Sequence, residues 1–218
     1  MIDLQLLTYL EEFISEERKE RFLEILQERT TYITVAIEDV FQMHNTSAVI
    51  RSCEIFGIQE AHVIEDRFGE RLDKNIAMGA EKWVDVHRYE STDDCIRNLR
   101  SRGYKIIATT PRNDTCLLDD FEIKEKVALL FGTEKDGLSE EAMNEADGFL
   151  KIPMMGFTES FNISVSAAII LQDLTSKLKK TSLEWRLTDA EKRAKQLDWT
   201  KKSIKSIDAI LTRYAQRK

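Results

Sequence analysis

Between residues 4 and 27 the apolar side chains Leu7, Leu10, Ile14, Phe22 and Leu26 recur at helical spacing, with charged residues filling the other face. This predicts an amphipathic helix or a pair of helices. The pattern changes at Thr31, where TYITVAIEDV is β-branched and reads as a strand. A helical stretch over Ser47–Phe56 ends at Gly57 and is followed by a short strand, AHVIED. WVDVHR is a further strand-like run. Asp93–Arg102 reads as a helix closed by Gly103, and KIIATT, KVALLFG and FLKIP read as buried strands. Ser160–Leu178 predicts a long helix with an Ala/Ile/Leu face. Ala190, Ala194, Leu197, Ile204, Ile207, Leu211 and Tyr214 form one continuous apolar stripe on a last helix. Strands alternating with helices indicate an α/β domain with a mostly parallel sheet, flanked by helices at both ends.

Composition agrees with a packed core: 42% of the 218 residues are apolar and 33% charged, with 8 Gly and 2 Pro. The longest apolar runs, such as Val127–Phe131 and Ala167–Leu171, fall far short of the roughly 20 residues needed to span a bilayer. The N-terminal MIDLQLLTYLEEF lacks the basic start and cleavage site of a signal peptide. Cys53, Cys95 and Cys116 show no CxxC spacing, which suits reduced thiols and a cytoplasmic location. The net charge of −7 hides an asymmetry. Residues 175–218 hold 13 Lys/Arg against 5 Asp/Glu, which is either a solvated helix face or a footprint for a polyanion.

There is no G-x-G-x-x-G, P-loop or HExxH. His44, His62 and His87 lack ligand spacing, so no metal site is expected. Three segments carry candidate chemistry. In HNTSAVIRSCEIFGI, Asn45 sits at a strand-to-helix junction suited to an N-cap, and Arg51 lies six residues on, among apolar neighbours. Taken alone, the spacing favours reading Arg51 as an ordinary exposed helix residue. In LLFGTEKDGLSEEAM, Gly132 after a buried strand lets the backbone approach a ligand, Glu134 follows at the strand's carboxyl end, and Ser139 can open a helix. In KIPMMGFTESFNISVSAAIILQDL, Ser160, Asn162 and Ser164 cluster at a helix start, where backbone N–H groups are free. A simple cap needs only one of them.

Together these segments resemble the three signature motifs of the SpoU, or TrmH-type, RNA 2′-O-methyltransferases of the SPOUT superfamily. The matching residues are N-x-S-A-x-x-R at 45–51, F-G-x-E-x-x-G-L-S at 131–139 and I-P-M-x-G-x-x-E-S-x-N-x-S at 152–164. The resemblance covers about residues 32–175. Phe161 is a departure, since many relatives carry Leu there. The resemblance implies a SPOUT-type parallel sheet with a C-terminal deep trefoil knot over residues 31–178. It also implies an N-terminal helical extension over 1–30 and a basic C-terminal extension over 179–218. S-adenosylmethionine is then the cofactor, lined by Thr109, Gly132, Ile152 and Phe161.

The implied reaction is methyl transfer to a ribose 2′-hydroxyl of tRNA, at guanosine 18 of the D-loop, by a homodimer whose active site is completed across the interface. The alternatives are another tRNA site, ribosomal RNA, or a catalytically silent RNA-binding member. Arg51 would hold the phosphate beside the target ribose and stabilise the developing alkoxide, since a guanidinium that stays protonated is a poor base. Asn45 would orient the arginine or the ribose, and Glu134, Ser160 and Asn162 would shape the cofactor and substrate loops. No metal and no membrane are implied.

Overall fold

Branched and apolar residues dominate residues 33–37 and 127–131, the pattern of strands covered on both faces. The computed structural model describes residues 3–38, 43–65, 79–111, 116–133 and 136–216. Its strands are β1 (Ile33–Glu38), β2 (Glu60–Ile64), β3 (Asp85–Tyr89), β4 (Lys105–Thr109), β5 (Val127–Phe131) and β6 (Gly148–Leu150). They form one sheet in the order β3-β2-β1-β5-β4-β6, with every pairing parallel. Ile33 lies opposite Val127 and Ile37 opposite Phe131, so the two most apolar strands are neighbours at the centre.

The chain forms two compact units, Thr30–Trp185 and a second made from both ends, Met1–Arg29 with Arg186–Lys218. The first contains the sheet, α3 (Met43–Ile55), α4 (Thr92–Ser101), α5 (Glu140–Asn144) and α6 (Ile163–Leu178). Alternate strand residues feed two cores. Val35, Ile37, Leu129 and Phe131 meet Val49, Ile50 and Cys53 of α3 and Ile163, Ala167, Ile170 and Leu174 of α6. Ala36, Ala128 and Leu130 meet Cys95, Ile96 and Leu99 of α4. The i, i+4, i+7, i+11 spacing of the α6 residues explains why that helix lies flat on the sheet.

The end-built unit contains α1 (Leu4–Glu11), α2 (Glu16–Leu26), α7 (Asp189–Ser203) and α8 (Ile207–Ala215). Tyr9 stacks on Tyr214 with ring centroids 5.1 Å apart, and Phe22 meets the edge of Trp199 at 5.6 Å. The Arg29 guanidinium lies over the Trp199 ring at 5.3 Å. Thr188 and Glu191 form a reciprocal capping box that starts α7.

Element boundaries differ from expectation at a few places. The last helix is broken: Ile204 is extended at the end of α7 and Ser206 precedes α8. The apolar stripe crosses the break because Leu197, Ile204, Ile207 and Leu211 all pack with Tyr9, Leu10 and Ile210, so periodicity alone hides it. The helix expected from Ser160 begins at Ile163. Trp83 and Val84 lie outside the strand, after a 3₁₀ turn at Ala80–Lys82. Among the described residues no helix is long and apolar enough to cross a membrane.

On the α4 side of the sheet, His62 and His87 are register partners on β2 and β3, and their rings stack at 5.0 Å. His62 is fully buried, with Nδ1 3.0 Å from the Tyr89 hydroxyl and, among the described residues, no hydrogen-bond partner on Nε2. Burial, with help from the neighbouring His87 and Arg102, holds its pKa down to about 3. The folded protein therefore keeps His62 neutral at pH values where the unfolded chain, with an ordinary pKa near 6.5, has already bound a proton. Stability must then fall as pH drops below about 6.5, by about 2 kcal/mol between pH 8 and pH 5. Urea unfolding at pH 5–8 should show this loss in the parent and a much shallower one in His62→Phe. Parallel pH profiles for the two proteins would exclude His62 as the cause.

Candidate active site

Ligands of open parallel sheets bind beyond the carboxyl ends of the strands, where connections diverge in opposite directions. Here that place lies around the ends of β1, β5 and β4. Thr109 ends β4, and its hydroxyl donates to the Leu130 carbonyl at 2.7 Å, which fixes the side chain beside β5. Beyond Phe131 the chain turns at once. A Cβ on Gly132 would lie 2.2 Å from the Gly137 carbonyl carbon, so no side chain fits. Thr133 and Gly137 close the turn with a pair of backbone bonds, N–H to carbonyl, at 2.9 and 3.0 Å. Gly137 has φ 77°, a left-handed conformation that favours glycine. Ser139 then caps α5, its hydroxyl accepting the Ala142 N–H at 3.1 Å.

The opposite wall is the irregular segment between β6 and α6. Asn162 is the N-cap of α6, and its Oδ1 accepts the Ser164 N–H at 2.9 Å and the Ser164 hydroxyl at 2.6 Å. That orientation leaves Nδ2 to donate to Oδ1 of Asn45 at 3.2 Å. Residues 117 positions apart, one from the first segment and one from the third, are thus joined. The cleft between the walls has a volume of about 680 Å³, within the range of small-ligand sites.

Thr109, Gly132, Ile152, Ser160 and Phe161 all line this cleft. Asn45 is 2% exposed and lies within the first turn of α3, which begins at Met43, so the expected N-cap role does not hold. The helix starts earlier than the sequence suggested. Arg51 is exposed on α3 and does not line the cleft of its own chain. Glu134 lies outside the described residues. Sequence reasoning missed Asp136, Lys151 and Glu159, which also line the cleft. Their only signal was adjacency to the turn glycine, the end of a short strand and the Ser160–Asn162 cluster. Among the described residues no group of three or more His, Cys, Asp or Glu could hold a metal ion.

The profile of the SpoU rRNA methylase family matches residues 32–172. The chain belongs to this family. A Borreliella burgdorferi protein named tRNA (guanosine(18)-2′-O)-methyltransferase is 39% identical over 92% of this chain and 92% of its own. The structure of the A. aeolicus TrmH/SpoU tRNA modifying enzyme superposes with a TM-score of 0.78 at 24% identity, covering 87% of this chain and 98% of that one. The SpoU methyltransferase AviRb from Streptomyces viridochromogenes, solved in complex with AdoMet, gives 0.61 at 23% identity, covering 72% and 62%. The two structural likenesses speak to the fold alone. Within the SpoU-matched region lie all three motif segments, and the whole cleft is built from it.

The contact between Gly132 and Gly137 predicts a graded response to alanine. Gly132→Ala must force two backbone segments apart and should lower the unfolding free energy by about 1–3 kcal/mol. It should also loosen the cleft wall. Gly103→Ala is the control: φ is 82° but nothing lies within 4 Å of the added Cβ, so only the conformational strain of about 1 kcal/mol remains. Urea unfolding of both variants checks this, and a Gly132→Ala protein as stable as the parent would rule out a fixed turn.

Proposed function

We propose that the chain transfers a methyl group from S-adenosylmethionine to the ribose 2′-hydroxyl of guanosine 18 in tRNA. The observation that carries this reading is a cleft at the strand ends lined by the second and third motif segments, with the first segment joined to its wall through the Asn45–Asn162 hydrogen bond. The substrate assignment is supported by the guanosine-18 methyltransferase that matches over nearly the whole length of both chains.

The cleft suits the cofactor. The apolar strand ends Phe131 and Leu150, with Ile152 just beyond β6, offer a surface for adenine, the Gly132 turn exposes backbone without a side chain, and Asp136 and Glu159 supply carboxylates for a cationic ligand. When bound, S-adenosylmethionine supplies an activated methyl group on a sulfonium. Positioning by Ser160, Phe161 and the Gly132 turn then accounts for much of the rate. The acceptor hydroxyl must lose its proton. A guanidinium is a poor base, so Arg51 serves by gripping the adjacent phosphate with its planar fork and stabilising the alkoxide, while that phosphate helps take the proton. Asn45 acts from the interior by orienting Asn162.

The reading includes the family's trefoil knot, a cytoplasmic location and a homodimer. Arg51 stands apart from its own cleft, and Ile55, Met155, Phe157 and Val165 are exposed apolar side chains on α3, on α6 and in the segment before α6. A second copy covering these groups would bring one chain's Arg51 to its partner's cleft. Incubation with labelled S-adenosylmethionine and bulk tRNA, followed by digestion, should yield 2′-O-methylguanosine; no labelled nucleoside would refute the function. Arg51→Ala should lose roughly 10²–10³-fold in turnover, and Arg51→Lys a large part of that. Cofactor affinity should hold in both, as measured by calorimetry. Dissociated and remixed Arg51→Ala and Asn162→Ala subunits should regain activity; verified heterodimers that regain none would exclude a shared site.

Residues 186–218 carry ten Lys/Arg against four Asp/Glu, while residues 1–29 of the same unit carry four against eight. The positive charge is thus partly offset where the ends pack, as where Arg186 approaches Glu28 at 3.9 Å. Among the described residues Arg193, Lys205 and Arg213 are exposed and are placed to make phosphate contacts. Changing all three to Glu should weaken tRNA binding and flatten the dependence of log K on log salt, by about 0.7–0.9 for each lost phosphate contact. An unchanged salt slope, in a triple variant that keeps its helical circular dichroism, would show that this face does not meet RNA.

A further inference from the structure

Glu38 ends β1 with its side chain 4% exposed. A carboxylate taken out of water needs either a cation or a full set of hydrogen-bond donors. Among the described residues hydrogen bonds meet it. Oε2 accepts the Ser139 backbone N–H at 2.7 Å, and Oε1 accepts the Ser139 hydroxyl at 2.7 Å and the Thr92 hydroxyl at 2.5 Å. One side chain at the end of the central strand therefore holds the starts of two helices, α4 through Thr92 and α5 through Ser139.

The two attachments differ in what they control. Ser139 already caps α5 by accepting the Ala142 N–H, and a cap needs no more than that. Turning its hydroxyl proton onto Glu38 adds a second constraint, which locates the cap against β1. Immediately before Ser139 stand Gly137 and Leu138, and with Gly132, Thr133 and Asp136 they form one wall of the cleft. The wall is closed internally by the Thr133–Gly137 pair. Its far end follows directly from β5, and its near end is set by Glu38. Thr92, in contrast, starts a helix whose residues do not line the cleft.

We propose that Glu38 is a positioning residue for the methyl-donor cleft: by holding Ser139 through two hydrogen bonds, it sets the wall of Gly132, Thr133, Asp136, Gly137 and Leu138 against which S-adenosylmethionine binds. The inference rests on reading that cleft as the S-adenosylmethionine site. Glu38→Gln keeps the shape of the side chain but removes its charge and turns one acceptor into a donor, so the charge-assisted bonds from Ser139 and Thr92 are weakened or must reverse direction.

The test is calorimetric titration of S-adenosylmethionine into the full-length protein, with amide hydrogen exchange on the ligand-free protein. In Glu38→Gln the Kd should rise about tenfold, within the range for loss of a buried hydrogen-bond partner. Exchange at Gly137–Ala142 should speed up. In turnover the rise should fall on the KM for S-adenosylmethionine, with kcat at saturation within about threefold of the parent. Thr92→Val removes the other bond to the same carboxylate. It should lower Tm while leaving the Kd within about twofold, since both hydrogen bonds from Ser139 to Glu38 remain.

An unchanged Kd in a folded Glu38→Gln protein, or an equal loss of affinity in Thr92→Val, would reduce Glu38 to a structural role and overturn the proposal. If Glu38→Gln does not fold, Ser139→Ala is read in the same way. It retains the backbone donor and loses the hydroxyl, with a rise in Kd of about three- to tenfold expected and an unchanged value overturning the proposal. Absence of binding by the unmutated protein is a separate outcome: it removes the cofactor reading, and this inference with it.

Discussion

The pairing of β1 with β5 leaves neither strand a face for solvent. Val35, Ile37, Leu129 and Phe131 fill one core and Ala36, Ala128 and Leu130 the other. Along such strands a polar side chain has no place to go, so the chemistry is displaced to where the strands stop. Glu38 is the last residue of β1, Thr109 the last of β4, and Gly132 the first after β5. The site is therefore a consequence of the core: three strand ends converge, and beyond β5 the backbone enters a turn whose N–H and carbonyl groups need partners. Some of those partners are internal, as in the Thr133–Gly137 pair, and the cleft is the space that remains.

Much of this was legible in the sequence because it rests on local rules. Alternation of strands with helices, the β-branched run at 33–37, Gly103 after α4 and Ser139 before α5 are all short-range signals, and each corresponds to an observed element or cap. The convergence of Thr109, Gly132, Ile152, Ser160 and Phe161 on one cleft followed from the motif resemblance rather than from periodicity. What local rules could not reach were contacts across long separations. The partnership of Asn45 with Asn162, and that of Glu38 with Ser139 across 101 positions, depend on the order of strands in the sheet. In the sequence Glu38 is a polar residue at the end of a β-branched run, a pattern that carries no signal of its burial. Only the packing of α4 and α5 over the end of β1 turns it into a buried acceptor.

The helical ends illustrate the reverse error, in which a correct local pattern conceals the tertiary arrangement. One apolar stripe from Ala190 to Tyr214 reads as one helix, yet the backbone extends at Ile204. No Gly or Pro marks the break. Both pieces present their apolar residues to Tyr9 and Leu10, so packing is satisfied with the break in place and the stripe survives it. Charge behaves in the same way. Counted along the chain, the C-terminal segment is strongly basic; counted over the folded unit, the acidic α1 and α2 share its neighbourhood. Gln196 reaches Glu11 at 2.6 Å and Lys192 reaches Gln27 at 2.9 Å. A polyanion meets the folded unit and its exposed Arg193, Lys205 and Arg213, not the linear sum.

The two walls of the cleft are held by different physics, and this bears on how a methyl group and its acceptor are brought together. The wall of Gly132, Thr133, Asp136, Gly137 and Leu138 is determined within the chain: a backbone contact with no room for a Cβ, a closed bridge, a helix cap and a buried carboxylate. The wall from Ile152 to Asn162 has one strong internal anchor, the Asn162 cap with its bond to Asn45, and otherwise presents exposed side chains, with Phe157 and Met155 almost wholly in solvent. Large apolar groups left in that state beside a binding cleft are the part of a site that a macromolecule completes. A cofactor that must be oriented before reaction needs the first kind of wall, since preorganisation lowers the barrier only if it is present before the substrate arrives. An acceptor as large as tRNA suits the second. The asymmetry of the cleft thus follows the order of events in the proposed reaction: a fixed surface for the donor, and an open one for the acceptor.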